Sequence, residues 1–400
     1  MSQFYHPILG GIERHVQSLG AALAARGHSV AVATLLHPGL PDFEMDGEVR
    51  VYRVRGTLQR FNALFSGDRF HAPSFPDAEI AMGLRRVIAQ EQPDIIHAHN
   101  WIVHSFLPLK SWSQAGLVMT LHDSEMTCVQ MRRMYKDEVY CTGPGALKCL
   151  SCAVSHYGAV KGAVTLLGNR MMNGFEREGV DVFIPVSSAV AETNGLTGGS
   201  LPPGKVRVIP NFIPDDVGNP EEGNLGLEGL PDEPFILQVG DLVPDKGIFV
   251  LLEAYQKLLS APPLVLIGRR TPDSPRELPP NVFLLESLPH NLVMQAWRRS
   301  LFGVVPSICL DASPTVTLEA MACGRSVVGS RIGGIVDQVI DGQTGMLVAP
   351  GDAAELAEAM QCLIDHPEVR EQMGKAAQER VTGFMAGNVV SKIEEVYQSL

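Results

Sequence analysis

Basic residues are scarce in this 400-residue sequence, where 32 Lys and Arg face 44 Asp and Glu for a formal net charge of −12. A protein that grips nucleic acid by neutralising phosphates needs the opposite balance, so no nucleic-acid partner is expected, although local basic surfaces remain open. No run approaches the roughly 20 apolar residues that cross a bilayer, and no basic region followed by an apolar stretch marks an export signal. The expected location is therefore cytoplasmic. Seven cysteines, an odd number, read as thiols or metal ligands sooner than as a disulfide framework. With 45% hydrophobic and 19% charged positions the chain is an ordinary globular one. It is too long for one core, and two domains are expected.

Apolar, β-branched runs recur with helical segments between them: Val30 to Leu36, Ile95 to His97, Leu117 to Leu121, Val182 to Val186 and Val206 to Ile209. Strands alternating with helices imply parallel sheets covered on both faces. The first helix is expected after Gly10-Gly11, with Ile12, Val16, Leu19 and Leu23 on one face and an end at Gly27. From Pro214 to Pro234 the composition turns to Pro, Gly and acid without a sustained period, which marks a linker. A second series follows: Phe235 to Val239, Leu264 to Ile267, Val282 to Leu285, Phe302 to Val305, Ser326 to Val328 and Met346 to Val348. Two doubly wound domains with a crevice between them are the economical reading, with ligands beyond the carboxyl ends of the strands.

Gly10 and Gly11 stand before a helix N-terminus, where free N–H groups and the helix dipole favour an anion. A plain turn explains them equally well. A stronger constellation is Pro306-Ser307, Asp311, Ser313-Pro314-Thr315 and Leu318-Glu319-Ala320. Ser313 is expected to cap a helix with Pro314 at its first position, leaving the amides of Thr315 and Val316 to face a diphosphate. Glu319, just over one turn inside, could accept two hydroxyl hydrogen bonds from a ribose, or simply be a solvated helix glutamate.

The segment PSICLDASPTVTLEAMACG at 306–324 resembles the acidic-x7-acidic motif of retaining glycosyltransferase family 4, which has the GT-B fold. Further matches are GSRIGGIVDQVIDGQTGMLVAPGD, VGDLVPDKG at 239–247, KVRVIPNFIPD at 205–215 and GGIERHVQSLGAALAARGHSV near the start. The resemblance implies two Rossmann-like domains, an acceptor-binding one at 1–214 and a nucleotide-sugar-binding one at 235–386, with a linker at 215–234. Helix 387–400 is expected to cross back to the first domain. Glu319 resembles the ribose-binding glutamate, and Asp311 stands where a donor-sugar glutamate is usual. Lys246 resembles the lysine that pairs with the diphosphate, Gly10 and Gly11 the phosphate loop, and His122 a histidine beside the transferred sugar. The implied reaction is glycosyl transfer from a nucleotide sugar to an acceptor hydroxyl with retention, in polysaccharide, glycolipid or glycoside biosynthesis. No catalytic metal or other cofactor is expected, because Lys246 and helix dipoles can neutralise the leaving group. From a different class, a nucleotide-sugar-binding scaffold subunit remains the alternative.

Two departures from the family pattern stand out. Asp241 replaces a usual arginine, and Arg269-Arg270 close the strand LVLIG where a Gly-rich acidic turn is common. Arg269 or Arg270 is expected to neutralise Asp241 or contact the donor, with a solvated arginine pair as the equal alternative. Within an insertion at 123–160, Cys128, Cys141, Cys149 and Cys152 could form a tetrahedral structural zinc site, remain free thiols or pair as disulfides. The same insertion carries Arg132, Arg133, Lys136 and Lys148 beside Met126, Met131, Met134 and Tyr135, an acceptor-binding or membrane-surface element or a solvated basic loop. Family members open with an apolar strand ahead of the F-Y-x-P loop, whereas Phe4-Tyr5-His6-Pro7 follow Met1-Ser2-Gln3 directly. The expectation is a start upstream of Met1 or a gap in the sheet, with a longer chain more soluble and more active.

Overall fold

The Ile12, Val16, Leu19 and Leu23 spacing builds a helix over Gly11–Ala25 that buries Val16, Leu19 and Leu23. It stops at Arg26, and Gly27 follows at φ 89°, the left-handed conformation that glycine adopts without strain. This computed structural model describes residues 1–7, 10–57, 59–60, 71–136, 139–199, 201–217, 229–286 and 288–400. The chain divides into two units. One comprises Met1–Val186, Val190–Ile209 and Val390–Leu400, and the other Ser187–Ala189 and Pro210–Val389. Residues 218–228, the middle of the expected linker, lie outside the described residues.

In the first unit, β1 (Ala31–Leu35) pairs in parallel with β3 (Val49–Val54), which pairs antiparallel with β2 (Phe43–Asp46). The β2–β3 hairpin is absent from the strand pattern read above. Its residues FEMD and VRVYRV alternate polar and apolar, and β2 buries none of its side chains fully. A second parallel sheet joins β4 (Ile95–His99), β5 (Gly116–Leu121) and, beyond a small hairpin of β6 (Met134–Tyr135) and β7 (Val139–Tyr140), β8 (Val182–Pro185). Val206 adds one bridge to Phe183, so the expected strand at 206–209 is reduced to a strip along the edge of β8. Between β1 and β4 run the first three residues. The Ser2 amide donates to the Ala33 carbonyl at 3.0 Å and the His99 amide to the Met1 carbonyl at 2.8 Å. Backbone groups on both flanking strands thus find partners there. Within this unit the C-terminal segment Val390–Leu400, helical to Gln398, is held by an Arg26–Glu394 ion pair and by the Tyr397 hydroxyl, 2.6 Å from His97 Nδ1.

The second unit holds β9 (Phe235–Val239), β10 (Leu264–Ile267), β11 (Val282–Leu285), β12 (Ser300–Val305), β13 (Val327–Ser330) and β14 (Gly345–Val348). All neighbours are parallel, in the order β11-β10-β9-β12-β13-β14. The order reverses beside β9, the switch point where doubly wound sheets leave a ligand crevice at their carboxyl edge. Side chains of period two divide the core. Ile236, Leu264 and Leu266 pack with the helices Ile248–Gln256 and Ala353–Asp365 on one face. Phe235, Leu237, Val265 and Ile267 pack on the other with Trp297, which is fully buried, and with the helix Thr315–Ala322.

Candidate active site

The candidate residues of the second unit follow the carboxyl ends of β9, β10 and β12. Lys246 ends a single turn, Pro244–Lys246, and Gly247 then begins the helix Ile248–Gln256 at φ 73°. A Cβ at Gly247 would collide with the Pro306 carbonyl, so only glycine lets the Lys246 turn lie against the Pro306-Ser307 loop. The Ile308 amide donates to the Asp245 carbonyl at 2.9 Å and fastens the two loops. Lys246 Nζ thereby meets Asp311 Oδ2 at 2.7 Å, and the Ser307 hydroxyl donates to the same oxygen at 2.8 Å. Burial draws the Lys246 pKa down, but the Asp311 carboxylate outweighs it and the net displacement is upward. Lys246 is a fixed cation.

Gly333 and Gly334 set the position of Asp311 from below. A side chain on either would run into the backbone of Asp311 or Ala312, and the Gly334 amide donates to the Asp311 carbonyl at 2.7 Å. The helix beyond begins at Thr315 with Pro314 as its N-cap and no side-chain cap, which corrects the expected role of Ser313. The Ser313 hydroxyl instead accepts from the Asn211 amide at 3.2 Å and from Gln338 Nε2 at 3.3 Å. With no capping side chain, the amides of Thr315 and Val316 keep their free first-turn geometry. Glu319 is buried on this helix, and its Oε1 lies 3.1 Å from Nε2 of His290, the first residue of the helix His290–Arg299. His290 was not expected from the sequence; the Pro-His-Asn that opens its helix carries no distinguishing signal.

Arg269 does meet Asp241. Its Nε donates to Oδ1 at 3.0 Å and its terminal nitrogen to Oδ2 at 2.7 Å, a two-point grip that holds the Asp241 carboxyl below its ordinary pKa. Arg270 turns away, its guanidinium donating to the Pro275 carbonyl at 2.7 Å. The expected neutralisation thus falls to Arg269.

In the first unit His122 directly follows β5 and is buried. Its Nε2 lies 2.9 Å from Nδ1 of His99, so one ring supplies the N–H and the other the lone pair. His15 packs edge-on to it, 5.0 Å between centroids, and His97 stacks on His99 at 4.5 Å. Burial and mutual repulsion hold the pKa of His97, His99 and His122 well below the usual value, and burial brings His15 to about 4. All four rings are neutral at physiological pH. Gly10 is the N-cap of the first helix, extended at φ −163°, and Gly11 begins that helix. A side chain at Gly10 would meet the Glu13 carboxylate, whereas one at Gly11 would meet nothing.

In the insertion Cys128, Cys141, Cys149 and Cys152 are free thiols, one of the three states expected, and among the described residues no three His, Cys, Asp or Glu side chains are grouped as metal ligands. Their sulfurs serve the backbone: Cys149 accepts from the Gly145 amide, Cys152 from the Lys136 amide, and Cys141 donates to the Gly143 carbonyl. Met126 and Met134 are core residues and Arg133 donates to the Thr193 carbonyl, so this part of the basic loop is not a contact surface.

The family described as Glycosyltransferase Family 4 matches residues 9–217, more than half of the chain, and Glycosyl transferases group 1 matches 228–380. The chain belongs to glycosyltransferase family 4. Similar full-length relatives of this glycosyltransferase include the glycogen synthase of Mycobacterium tuberculosis (strain CDC 1551 / Oshkosh), 28% identical over 98% of this chain and 92% of that protein. The N-acetyl-alpha-D-glucosaminyl L-malate synthase of Bacillus anthracis is 25% identical over 98% and 94%. The solved sucrose-phosphate synthase of Thermosynechococcus elongatus superposes with a TM-score of 0.71 at 22% identity, covering 98% of this chain and 93% of that one. Such likeness over the whole length establishes the GT-B fold.

Proposed function

We propose that this glycosyltransferase moves a glycosyl group from a nucleotide-diphosphate sugar to an acceptor hydroxyl with retention, in polysaccharide, glycolipid or glycoside biosynthesis. One observation carries the reading: Lys246, Asp311, the uncapped amides of Thr315 and Val316, and Glu319 occupy successive loops and one helix at the carboxyl edge of a single parallel sheet. In this reading Glu319, steadied by His290, accepts hydrogen bonds from the ribose. The Thr315 and Val316 amides and Lys246 hold the diphosphate, and Asp311 addresses the sugar. Arg269 cancels the charge of Asp241, which would otherwise repel the donor. Gly10 and Gly11 line the phosphate side of the first unit, and neutral His122 offers the sugar a hydrogen bond.

As the bond from the anomeric carbon to the diphosphate oxygen breaks, the acceptor oxygen bonds to that carbon on the same face. The acceptor proton passes to the departing diphosphate, so the chain needs no pair of carboxylates at hydrolase spacing. Lys246 stabilises the charge that gathers on the leaving group. No divalent ion is required in this reading, and activity is expected to survive EDTA.

The test is a thermal-shift screen of nucleotide sugars, then nucleotide release and product analysis with the donor that binds. Release that disappears in Glu319→Ala, with the product anomer matching the donor, is the expected result. An inverted product, or activity lost to EDTA and restored by magnesium or manganese, would refute the corresponding part. Binding without turnover would favour a scaffold subunit.

A further inference from the structure

The long helix Ala159–Gly179 has two apolar faces, and only one is used. Its inner side packs Leu166 and Met172 together with Asn169 and Glu176, and Gly162 comes so close to the Ala153 carbonyl of the preceding helix, Ala146–Tyr157, that no side chain would fit. On the outer side Val160, Val164, Leu167, Met171 and Phe175 are 79%, 48%, 62%, 59% and 58% exposed. At about 100° per residue these five fall within an arc of about 80°, centred opposite the packed side. Lys161 and Arg170, both exposed, flank the stripe on either side. From residue 139 to 175 the only charged side chains are Lys148, Lys161 and Arg170, in a chain whose net charge is −12, and the last turn of the helix adds the buried Glu176 and the exposed Glu178. Five large apolar side chains in one exposed row on a soluble fold mark a surface that another phase or molecule covers.

We propose that this outer face docks on an anionic lipid surface, with the helix lying in the headgroup plane. Charge complementarity selects that occupant. Cations on both flanks can reach lipid phosphates while their stems lie along the apolar stripe, and they outnumber the single exposed carboxylate of the helix, Glu178 on its last turn. The polar residues on the packed side keep the helix from spanning, and among the described residues no helix is long and apolar enough to cross a membrane. The membrane surface expected in the basic loop is thereby moved to the helix that follows it, because Met126, Met134 and Arg133 are spent inside the unit. The proposal is independent of the transfer reaction.

Flotation with vesicles of phosphatidylcholine containing phosphatidylglycerol tests it, with phosphatidylcholine alone and high salt as controls. The protein is expected to float with the anionic vesicles at low salt, at least tenfold less with neutral vesicles, and less as salt rises. The double variant Leu167→Asp/Met171→Asp is expected to lose at least tenfold in partition, and Lys161→Glu/Arg170→Glu to lose binding to anionic vesicles alone. Both substitute exposed positions, and an unchanged melting temperature confirms that they fold. Absence of flotation, equal flotation with neutral vesicles, or flotation indifferent to Leu167→Asp/Met171→Asp would overturn the proposal. So would a wild-type dimer in light scattering that this variant splits.

Discussion

The four neutral histidines of the first unit link its stability to pH, and His15→Gln isolates one of them. In the folded chain the His15 pKa is lowered by burial to about 4, whereas in the unfolded chain it returns to about 6.5. Below the unfolded value the unfolded chain takes up a proton that the folded chain refuses. Stability present above pH 6.5 is therefore lost as the pH falls, by about 1.4 kcal/mol per unit and about 3 kcal/mol in all by pH 4. That is a large part of the roughly 5–15 kcal/mol that holds a domain together. Asp123, next to His122, acts in the opposite sense. Burial raises its carboxyl to about 7, so its contribution is fullest in acid and is lost as the pH rises toward neutrality. Its size is at most about 4 kcal/mol, since the residue is partly accessible. Urea unfolding of wild type, His15→Gln and Asp123→Asn across this range separates the two. The stability of His15→Gln relative to wild type should rise by about 3 kcal/mol between neutral pH and pH 4, on top of a pH-independent packing loss. Asp123→Asn should move the other way. Parallel curves for wild type and His15→Gln would refute the burial argument.

Three further outcomes are expected. Gly247→Ala places a side chain on the Pro306 carbonyl at a left-handed position, so it should lower transfer at least tenfold by separating Lys246 from Asp311, and a wild-type rate would show that the loop accommodates it. Arg269→Ala should leave stability within about 1 kcal/mol, as befits an exposed pair, yet weaken donor binding, while the double variant with Asp241→Ala regains much of it; an unrecovered double variant would exclude charge cancellation. His290→Ala should raise the donor KM several-fold with kcat nearly unchanged, since it steadies Glu319 without touching the reacting atoms, and a fall in kcat alone would contradict that role.

The second unit was legible because its strands read as continuous apolar runs, buried on both sides in all but the edge strand β11. Six of six appear within two residues of their expected starts. The β2–β3 hairpin was not legible, since half-exposed strands such as FEMD alternate too briefly to separate from loop. The Arg269–Asp241 pair could be anticipated because two departures from a pattern, of opposite charge, end neighbouring strands. Ser313 misled. A serine before proline has the residue types of a cap, but Asn211 and Gln338, distant in sequence, claim its hydroxyl. His290 and His99 were invisible for the same reason: their meaning comes from a partner on another element, not from their own neighbourhood. The cysteine spacing has a ligand-like pattern, and what it could not show is that the sulfurs of Cys149 and Cys152 accept from local amides.

The contact between Lys246 and Asp311, together with the grip of Arg269 on Asp241, means that Lys246 and Arg269 each already own a counter-ion. A simple anion such as chloride or free phosphate therefore finds neither Lys246 nor Arg269 unpaired. To displace Asp311 from Lys246 a ligand must offer several acceptor oxygens at once and be anchored elsewhere, as a diphosphate tied to a ribose and a sugar is. In the proposed reading Asp311 thus competes with the donor for Lys246, and a small anion too poor in acceptors to displace it is disfavoured.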